Sequence, residues 1–239
     1  MRENEPIKLS RRLTETAFAV REGCRATDVG CDHGKLAAWL ILTGRCEYVN
    51  AVDISEPSLK KAADLFSRLK IQHKTRAVLA DGLSGINPEE TDDVIIAGLG
   101  FDVIKKILSG ADWLKDSKKR LVLAPSSKHP QTRCFLYEEG YRILVEQAVF
   151  EAGHIYTIIT AEYCGIQKAI TPEFASIGKI TGSREEKNEY IRAVRVKNEK
   201  LLTNIKDTSI TRMIQRRLDA ERVLAYLDEV QGKSESQTL

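Results

Sequence analysis

The residues best suited to chemistry lie together near the amino terminus, in the run Ala26-Thr-Asp-Val-Gly-Cys-Asp-His-Gly-Lys-Leu36. Asp28 sits in an apolar frame of Ala26 and Val29, and Gly30 and Gly34 follow it in the pattern Asp-x-Gly-x-x-x-Gly. This pattern predicts a buried strand that breaks into a glycine turn and opens directly onto a helix, Gly30 taking a positive φ and Gly34 allowing close packing on the sheet. The unpaired N–H groups of a helix start can receive a carboxylate, a sulfonium-linked chain or a phosphate. A dinucleotide site would carry Gly-x-Gly-x-x-Gly, whereas here Asp32 stands near the place of the second glycine. An acid there repels phosphate and suits a cationic, phosphate-free cofactor such as S-adenosylmethionine. An ordinary strand-turn-helix has the same pattern, so the elements around it must decide.

Three more chemistry-bearing groups fall at the ends of apolar runs. Tyr48 to Val52 reads as a strand ending in Asp53, which lies 19 residues after Gly34. An acid at the tip of a second strand accepts hydrogen bonds from ribose hydroxyls, and the competing role of helix N-cap is better filled by Ser55 with Pro57 behind it. Arg76 to Leu79 leads to Asp81 and Gly82, where Asp81 either accepts from an adenine amino group or caps a turn. Asp93 to Ala97 is an apolar central strand followed by Gly98-Leu99-Gly100-Phe101. Two glycines in three residues bare the backbone where a reacting base must lie, and Phe101 is placed to stack on it.

The elements that position these groups follow the hydrophobic periodicity. Helices are expected over Leu9–Val20, Lys35–Leu42, Pro57–Leu69 and Gln131–Glu139, the third burying Leu59, Ala62, Ala63, Phe66 and Leu69. Arg120 to Ala124 is a fifth strand, and Tyr141–Phe150 and Ile155–Ala161 flank a turn at Glu151–His154. Two long strands joined by so short a loop are antiparallel, so a mostly parallel sheet ends on a reversed strand. The fold class is therefore α/β, a Rossmann-like, seven-stranded, mostly parallel sheet of the class I methyltransferase type, over residues 1–165.

Residues 166–239 differ in kind. Ile191, Val194, Asn198, Leu201 and Ile205 recur at spacings of three and four, as do Met213, Ala220, Val223, Leu227 and Val230. Two heptad-patterned helices joined at Lys206–Ser209 form an antiparallel coiled-coil hairpin, with Asn198 at a seam position setting register and Gly232–Leu239 frayed. Residues 1–165 hold 23 basic and 23 acidic side chains, and residues 166–239 hold 14 and 11, so the net charge of +3 belongs to the tail. It concentrates at Arg192, Arg195, Lys197, Lys200, Lys206, Arg212, Arg216 and Arg217, a pattern shared by polyanion-binding surfaces and solvated helix faces. Lys8, Arg11 and Arg12 crowd the start of the first helix, poorly placed for its dipole, and read as solvated unless they meet an anion.

Composition narrows the class further. The five cysteines form no Cys-x-x-Cys pair and are odd in number, which points to free thiols in a reducing cytoplasm and away from a disulfide framework or metal site. The charged amino terminus and the shortness of the longest apolar run, Leu36 to Gly44, give no sign of export or a membrane span. A cytoplasmic enzyme is expected.

Taken together, Leu9-Ser-Arg-Arg-Leu13, Asp28-Val-Gly-Cys-Asp-His-Gly34, Asp81-Gly-Leu83, Ile96-Ala-Gly-Leu-Gly100 and the Gly140-to-Tyr156 ending resemble the bacterial TrmK-type tRNA (adenine-N1)-methyltransferases. The resemblance spans residues 8 to about 162 in order and implies methylation of the adenine at position 22 of tRNA with S-adenosylmethionine, without a metal. It places Asp28, Gly30, Asp32, His33, Gly34, Asp53, Ile54, Asp81, Gly82 and Ala97 around the cofactor and Gly98, Leu99, Gly100 and Phe101 against the target base. Arg11, Arg12, Arg192, Arg195 and Lys200 would then hold tRNA phosphates, with the protein a monomer or a coiled-coil dimer. Asp32 is the candidate for stabilising developing charge, while His33 reads as a structural group more than a base. Three departures stand out: Phe101 where the family carries a glycine, Ala124-Pro125-Ser126 where it carries Gln-Pro-Asn, and Ile54-Ser-Glu-Pro57 where a Gly-Pro pair is common. The first two line the expected base pocket, so a paralogue with another RNA or small-molecule substrate, or a non-catalytic RNA-binding protein, are the rival readings.

Overall fold

In the computed structural model, which describes residues 7–205 and 211–236, every expected strand and helix forms. Helix α1 (Arg11–Ala19) leads to β1 (Cys24–Val29), α2 (Lys35–Leu42), β2 (Cys46–Asp53), α3 (Glu56–Arg68), β3 (Thr75–Leu79), β4 (Asp93–Ala97) and α4 (Phe101–Ser109). Then follow β5 (Arg120–Ala124), α5 (His129–Glu138), β6 (Tyr141–Glu151), β7 (His154–Tyr163), α6 (Pro172–Ile177), β8 (Ile180–Thr181), α7 (Arg184–Asn204) and α8 (Thr211–Ser236). The strands make one sheet in the order β3-β2-β1-β4-β5-β7-β6-β8. The first five are parallel and β7 is antiparallel to both β5 and β6. Strand order reverses between β1 and β4, which opens a crevice at their carboxyl ends.

The alternation of side chains along the strands loads both faces of the sheet. One face packs Ala26, Val49, Ala51, Ile95 and Val122 under α1, α2 and α3; the other packs Val29, Val52, Val94, Ile96, Leu121 and Leu123 under α4 and α5. Burial on both sides is why these strands read as continuous apolar runs. The third helix buries Leu59, Ala62 and Phe66 as expected, but Ala63 faces solvent and the half-buried Leu65 packs in its place. Helix caps follow sequence chemistry: Ser10, Ser55, Thr171 and Ser183 each accept a backbone N–H of the following turn, and Ser183 with Glu186 closes a capping box.

The sheet gains an eighth strand beyond the seven expected. Ile180 and Thr181 pair in parallel with Glu146 and Gln147 of β6, and the Thr181 hydroxyl donates to the Glu146 carbonyl at 2.9 Å. Two residues leave no periodicity to detect. The tail helices form the antiparallel hairpin and pack Tyr190, Val194, Val223 and Leu227 against Ala148 of β6. Asn198 does not set register across the seam: its amide donates to the Val194 carbonyl one turn back in the same helix, at 2.8 Å. Val230 is 46% exposed and so lies off the seam. Helix α8 continues to Ser236, so Gly232–Ser236, expected to fray, are helical, whereas the connector Lys206–Ser209 and residues 237–239 lie outside the described residues.

The hairpin is fastened to the sheet by a buried charge. Arg133 of α5 is fully enclosed; its Nε donates to Glu146 Oε1 at 2.6 Å, Nη1 to the Ala175 carbonyl at 2.6 Å, and Nη2 to the Tyr190 hydroxyl at 2.6 Å. Tyr190 in turn donates to the Ser176 carbonyl at 2.9 Å. Gly178, at φ +70°, lies so close that an added Cβ would sit 2.2 Å from Glu146 Oε2. Burial works against the Arg133 charge, yet Tyr190 and Glu146 outweigh it and hold its pKa above the ordinary value. Removing one partner leaves the other charged and unpaired. Arg133→Met is expected to destabilise the fold by about 3–5 kcal/mol in urea denaturation, and R133M/E146L to recover much of that loss.

Candidate active site

The crevice is built by the run with which the chemistry begins. After Val29 the chain turns: Gly30 N–H and Cys31 N–H both donate to the Val52 carbonyl, at 2.8 and 3.0 Å, which ties the β1 turn to the end of β2. Gly30 and Gly34 take φ of +75° and +67°, and Gly34 caps α2. A Cβ at Gly34 would lie 2.8 Å from Ala62 and from Phe66, so the close helix packing expected of it is real. Asp32 itself adopts φ +50°, unusual for a residue with a side chain. Its N–H donates to Asp53 Oδ2 at 3.0 Å, while Asp53 Oδ1 accepts from Ser55 N–H at 2.9 Å. One carboxylate thereby holds the two loops together at the tip of β2.

Behind this turn lies a cavity of about 150 Å³ lined by Asp28, Gly30, Cys31, Asp32, His33 and Ala97, with Arg12 closing it from α1. Asp28 is 3% exposed and its Oδ2 has no hydrogen-bond partner. Burial, with the nearby Asp53 charge, pushes its pKa up to about 7. Arg12 Nη1 is likewise buried and without a partner. The Arg12 guanidinium lies over the Tyr156 ring, 5.2 Å from its centroid, and a Cβ at Gly98 would be 3.6 Å from its Nη1. No ion pair joins Arg12 to Asp28 among the described residues. A buried carboxylate and a buried guanidinium, each short of a partner in one cavity, match the ammonium and carboxylate ends of an α-amino acid. The methionine end of the expected cofactor fits this place.

The other expected site residues divide into those the fold gathers here and those it places elsewhere. His33 stands at the cavity rim, 3.3 Å from Asp32 Oδ1 and 3.2 Å from Lys61 Nζ, in an exposed chain of polar contacts. Ile54 is 73% exposed beside Asp53. Asp81 is exposed at the end of β3 and pairs with Lys106 at 2.5 Å, with Gly82 packed against Ile107. Gly98, Leu99 and Gly100 line the crevice at the end of β4, Gly100 facing the hydroxyls of Ser126 and Ser127. Phe101 begins α4 and turns its ring edge-on to Phe135 at 6.2 Å, packing on the core, where a stacking surface for a base was expected. A phenylalanine at a helix start beside an apolar layer is drawn to that layer.

The arginines behave differently from a solvated cluster. Arg11 pairs with Glu186 of α7 at 2.6 Å, and Arg12, two-thirds of a helical turn from any solvated neighbour in sequence terms, is drawn into the cavity instead. Arg12 is thus the site residue that charge patterning alone assigns wrongly, as a solvated or phosphate-facing group; its adjacency to Leu13, which packs on the core, was the available signal. On the tail, Arg192 pairs with Glu189 and Arg195 with Asp228, while Lys200 lines a groove between α7 and the loop after β5. Among the described residues no cluster of His, Cys, Asp or Glu could hold a metal ion, and no helix is long and apolar enough to cross a membrane.

Comparison with known proteins agrees with this geometry. The Bacillus subtilis tRNA (adenine(22)-N(1))-methyltransferase is 28% identical over 184 residues, covering 76% of this chain and 77% of that protein. Among solved structures, Streptococcus pneumoniae Sp1610 in complex with S-adenosyl-L-methionine superposes with a TM-score of 0.77 at 25% identity, over 91% of this chain and 100% of that one. The Bacillus subtilis M1A22 tRNA methyltransferase TrmK superposes with a TM-score of 0.76 at 23% identity, over 94% and 99% of the two chains, and so shares the fold. A family model described as a methyltransferase domain matches residues 9–159, which holds the whole crevice from Arg12 to Tyr156, and the chain belongs to that methyltransferase family.

Proposed function

We propose that this protein methylates N1 of an adenine in tRNA, at position 22, using S-adenosylmethionine. The observation that carries the reading is the pair of buried, unpartnered groups, Asp28 Oδ2 and Arg12 Nη1, in one cavity beside the glycine ledge at the end of β4. Asp28 receives the amino group and Arg12 the carboxylate of the cofactor's amino-acid end. Asp53 accepts from the ribose hydroxyls, since each of its oxygens keeps a lone pair beyond the backbone bonds it already accepts. Asp81 and Gly82 mark the adenine end, with His33, Gly34, Ile54 and Ala97 shaping the walls. The bound cofactor supplies an electrophilic methyl group and its own leaving group.

The chain's share of the chemistry is placement. The backbone of Gly98, Leu99 and Gly100 lets the target base approach without a side chain between, so the neutral N1 lone pair is aimed along the carbon–sulfur axis. The methylated base is cationic until its amino group loses a proton, and Asp32, with a side chain 73% exposed at the cavity mouth, offsets that charge. The domain division follows the same logic: residues 1–165 hold cofactor and base, and residues 166–239 grip the tRNA as part of a monomer, the α7–α8 seam being used within the chain. A base taken from a duplex must be turned out of its stack, and cationic contacts to the flanking phosphates hold the strand while that happens.

Methyl transfer from labelled S-adenosylmethionine to tRNA, followed by nuclease digestion and mass spectrometry, tests the reading; 1-methyladenosine at position 22 is the expected product, and its absence with competent tRNA would sink the assignment. Raising salt from 50 to 200 mM should weaken tRNA binding at least tenfold, because counterions return to the phosphates. Cofactor affinity has its own pH signature. The amino end binds the ionised carboxylate, and Asp28 ionises only as pH rises through about 7, so the Kd for S-adenosylmethionine should rise about tenfold per pH unit as pH falls below 7. Calorimetric titration of Asp28→Asn should show weaker binding with that slope removed.

A further inference from the structure

Between the loop after β5 and the inner side of α7 lies a groove of about 540 Å³, several times the size of the cofactor-end cavity and within the range of sites that take a small molecule. Its position makes it part of the reacting face. Ser126 and Ser127 form one end, and the same hydroxyls lie about 4 Å or less from where a Cβ on Gly100 would be. Ser126 N–H donates to the Leu99 carbonyl at 2.9 Å, so the glycine ledge and the groove share one wall. Ile155, at the top of β7, adjoins Tyr156, the ring beneath Arg12.

The lining has a one-sided chemistry. Ile155, Val194 and Leu201 give it an apolar floor. Lys197, Lys200 and Arg216 stand along it as cations, and no aspartate or glutamate lines it. Lys128, at its edge, is paired with Asp102, whereas none of these three has a carboxylate within ion-pair distance among the described residues. Desolvation in the groove and the charge of Arg133 behind it hold the Lys197 ammonium below its ordinary pKa, so its positive charge is uncompensated until an anion arrives. This differs from the rest of the basic tail, where Arg192, Arg195 and Arg217 are paired with Glu189, Asp228 and Glu221.

We infer that this groove seats a nucleotide of the RNA strand next to the target adenine, its phosphate on Lys197, Lys200 and Arg216 and its sugar and base along the apolar floor, with Ser126 and Ser127 separating it from the reacting base. The inference rests on the reading of the protein as a tRNA methyltransferase and assigns part of its substrate grip to a defined subsite between sheet and hairpin. A nucleotide is the occupant because it alone among likely cellular anions combines one phosphate with a flat apolar body and hydrogen-bonding edges, and because the groove opens onto the crevice where its neighbour reacts. The subsite also explains how one strand can be held on both sides of a base turned out of its stack.

The test compares direct tRNA binding by three variants of the full chain. K197A/K200A/R216A removes the cations; A193L/N198L keeps every charge and narrows the groove with branched side chains; K60A/K74A/R76A removes three exposed cations at the opposite edge of the sheet. The first two should each weaken tRNA binding tenfold or more, with S-adenosylmethionine affinity and thermal midpoint as in the parent protein, and the third should bind within twofold of it. The slope of log K against log salt should become shallower by about 2 for the first variant alone. Groove variants that bind tRNA like the K60A/K74A/R76A control would overturn the subsite, as would loss with the charge variant and none with the narrowed one, since the strand would then pass over the groove without entering. Methyl transfer by the parent protein is measured in parallel, so a parent that binds tRNA through the groove yet leaves it unmethylated would refute the functional reading and keep the subsite.

Discussion

The buried ion pair between Arg133 and Glu146 is the point on which the two halves of the molecule meet. A guanidinium with no exposure to water is tolerated only where every donor has an acceptor, and here the acceptors come from four separate segments: β6, the end of α6, the residues after it, and α7 through Tyr190. Each of those segments is therefore fixed relative to α5, and α5 begins at the loop that carries Ser126 and Ser127. The orientation of the hairpin over the reacting face follows from satisfying one charge. Apolar contact of Val194, Val223 and Leu227 with Ala148 then adds burial without needing to specify direction.

A second constraint acts at the crevice itself. Asp53 bonds the N–H of Asp32 on one side and that of Ser55 on the other, so the turn after β1 and the start of α3 cannot move independently. That fixes Asp32 in a left-handed conformation which a residue with a side chain adopts at some cost. Asp28 and Arg12 carry a different kind of cost, that of buried polar atoms without partners. Both costs gather around one cavity, as they do where a fold is shaped for a ligand and the rest of the structure holds the shape.

Most of the body was legible because its signals are local and redundant. Apolar runs ending in Asp53, Asp81 and Gly98 mark both a strand and its functional end, and the short turn between β6 and β7 forces the reversal that distinguishes this sheet. What escaped was non-local. The two-residue β8 has no pattern of its own and exists because β6 offers an edge. Asn198 has the spacing of a seam residue, yet a carbonyl one turn away in its own helix competes for its amide. Arg11 and Arg12 are adjacent and chemically identical, and only the packing of α1 sends one to Glu186 and the other into the crevice. Phe101 was read for what its ring can do, while an apolar layer beside it determined where the ring goes.

The strand order has a bearing on the time course of folding. Strand β7 lies between β5 and β6, so the last long strand of the body is an interior one. A nascent chain cannot close the sheet until Tyr163 has been made, and β6 until then exposes both its edges. One edge is covered by β7 within the same hairpin; the other waits for Ile180 and Thr181, and the Arg133 charge waits longer still, for Tyr190. During synthesis the tail is thus the segment that completes the catalytic body, and an interrupted product would carry a bare sheet edge, the surface on which chains of this kind associate wrongly.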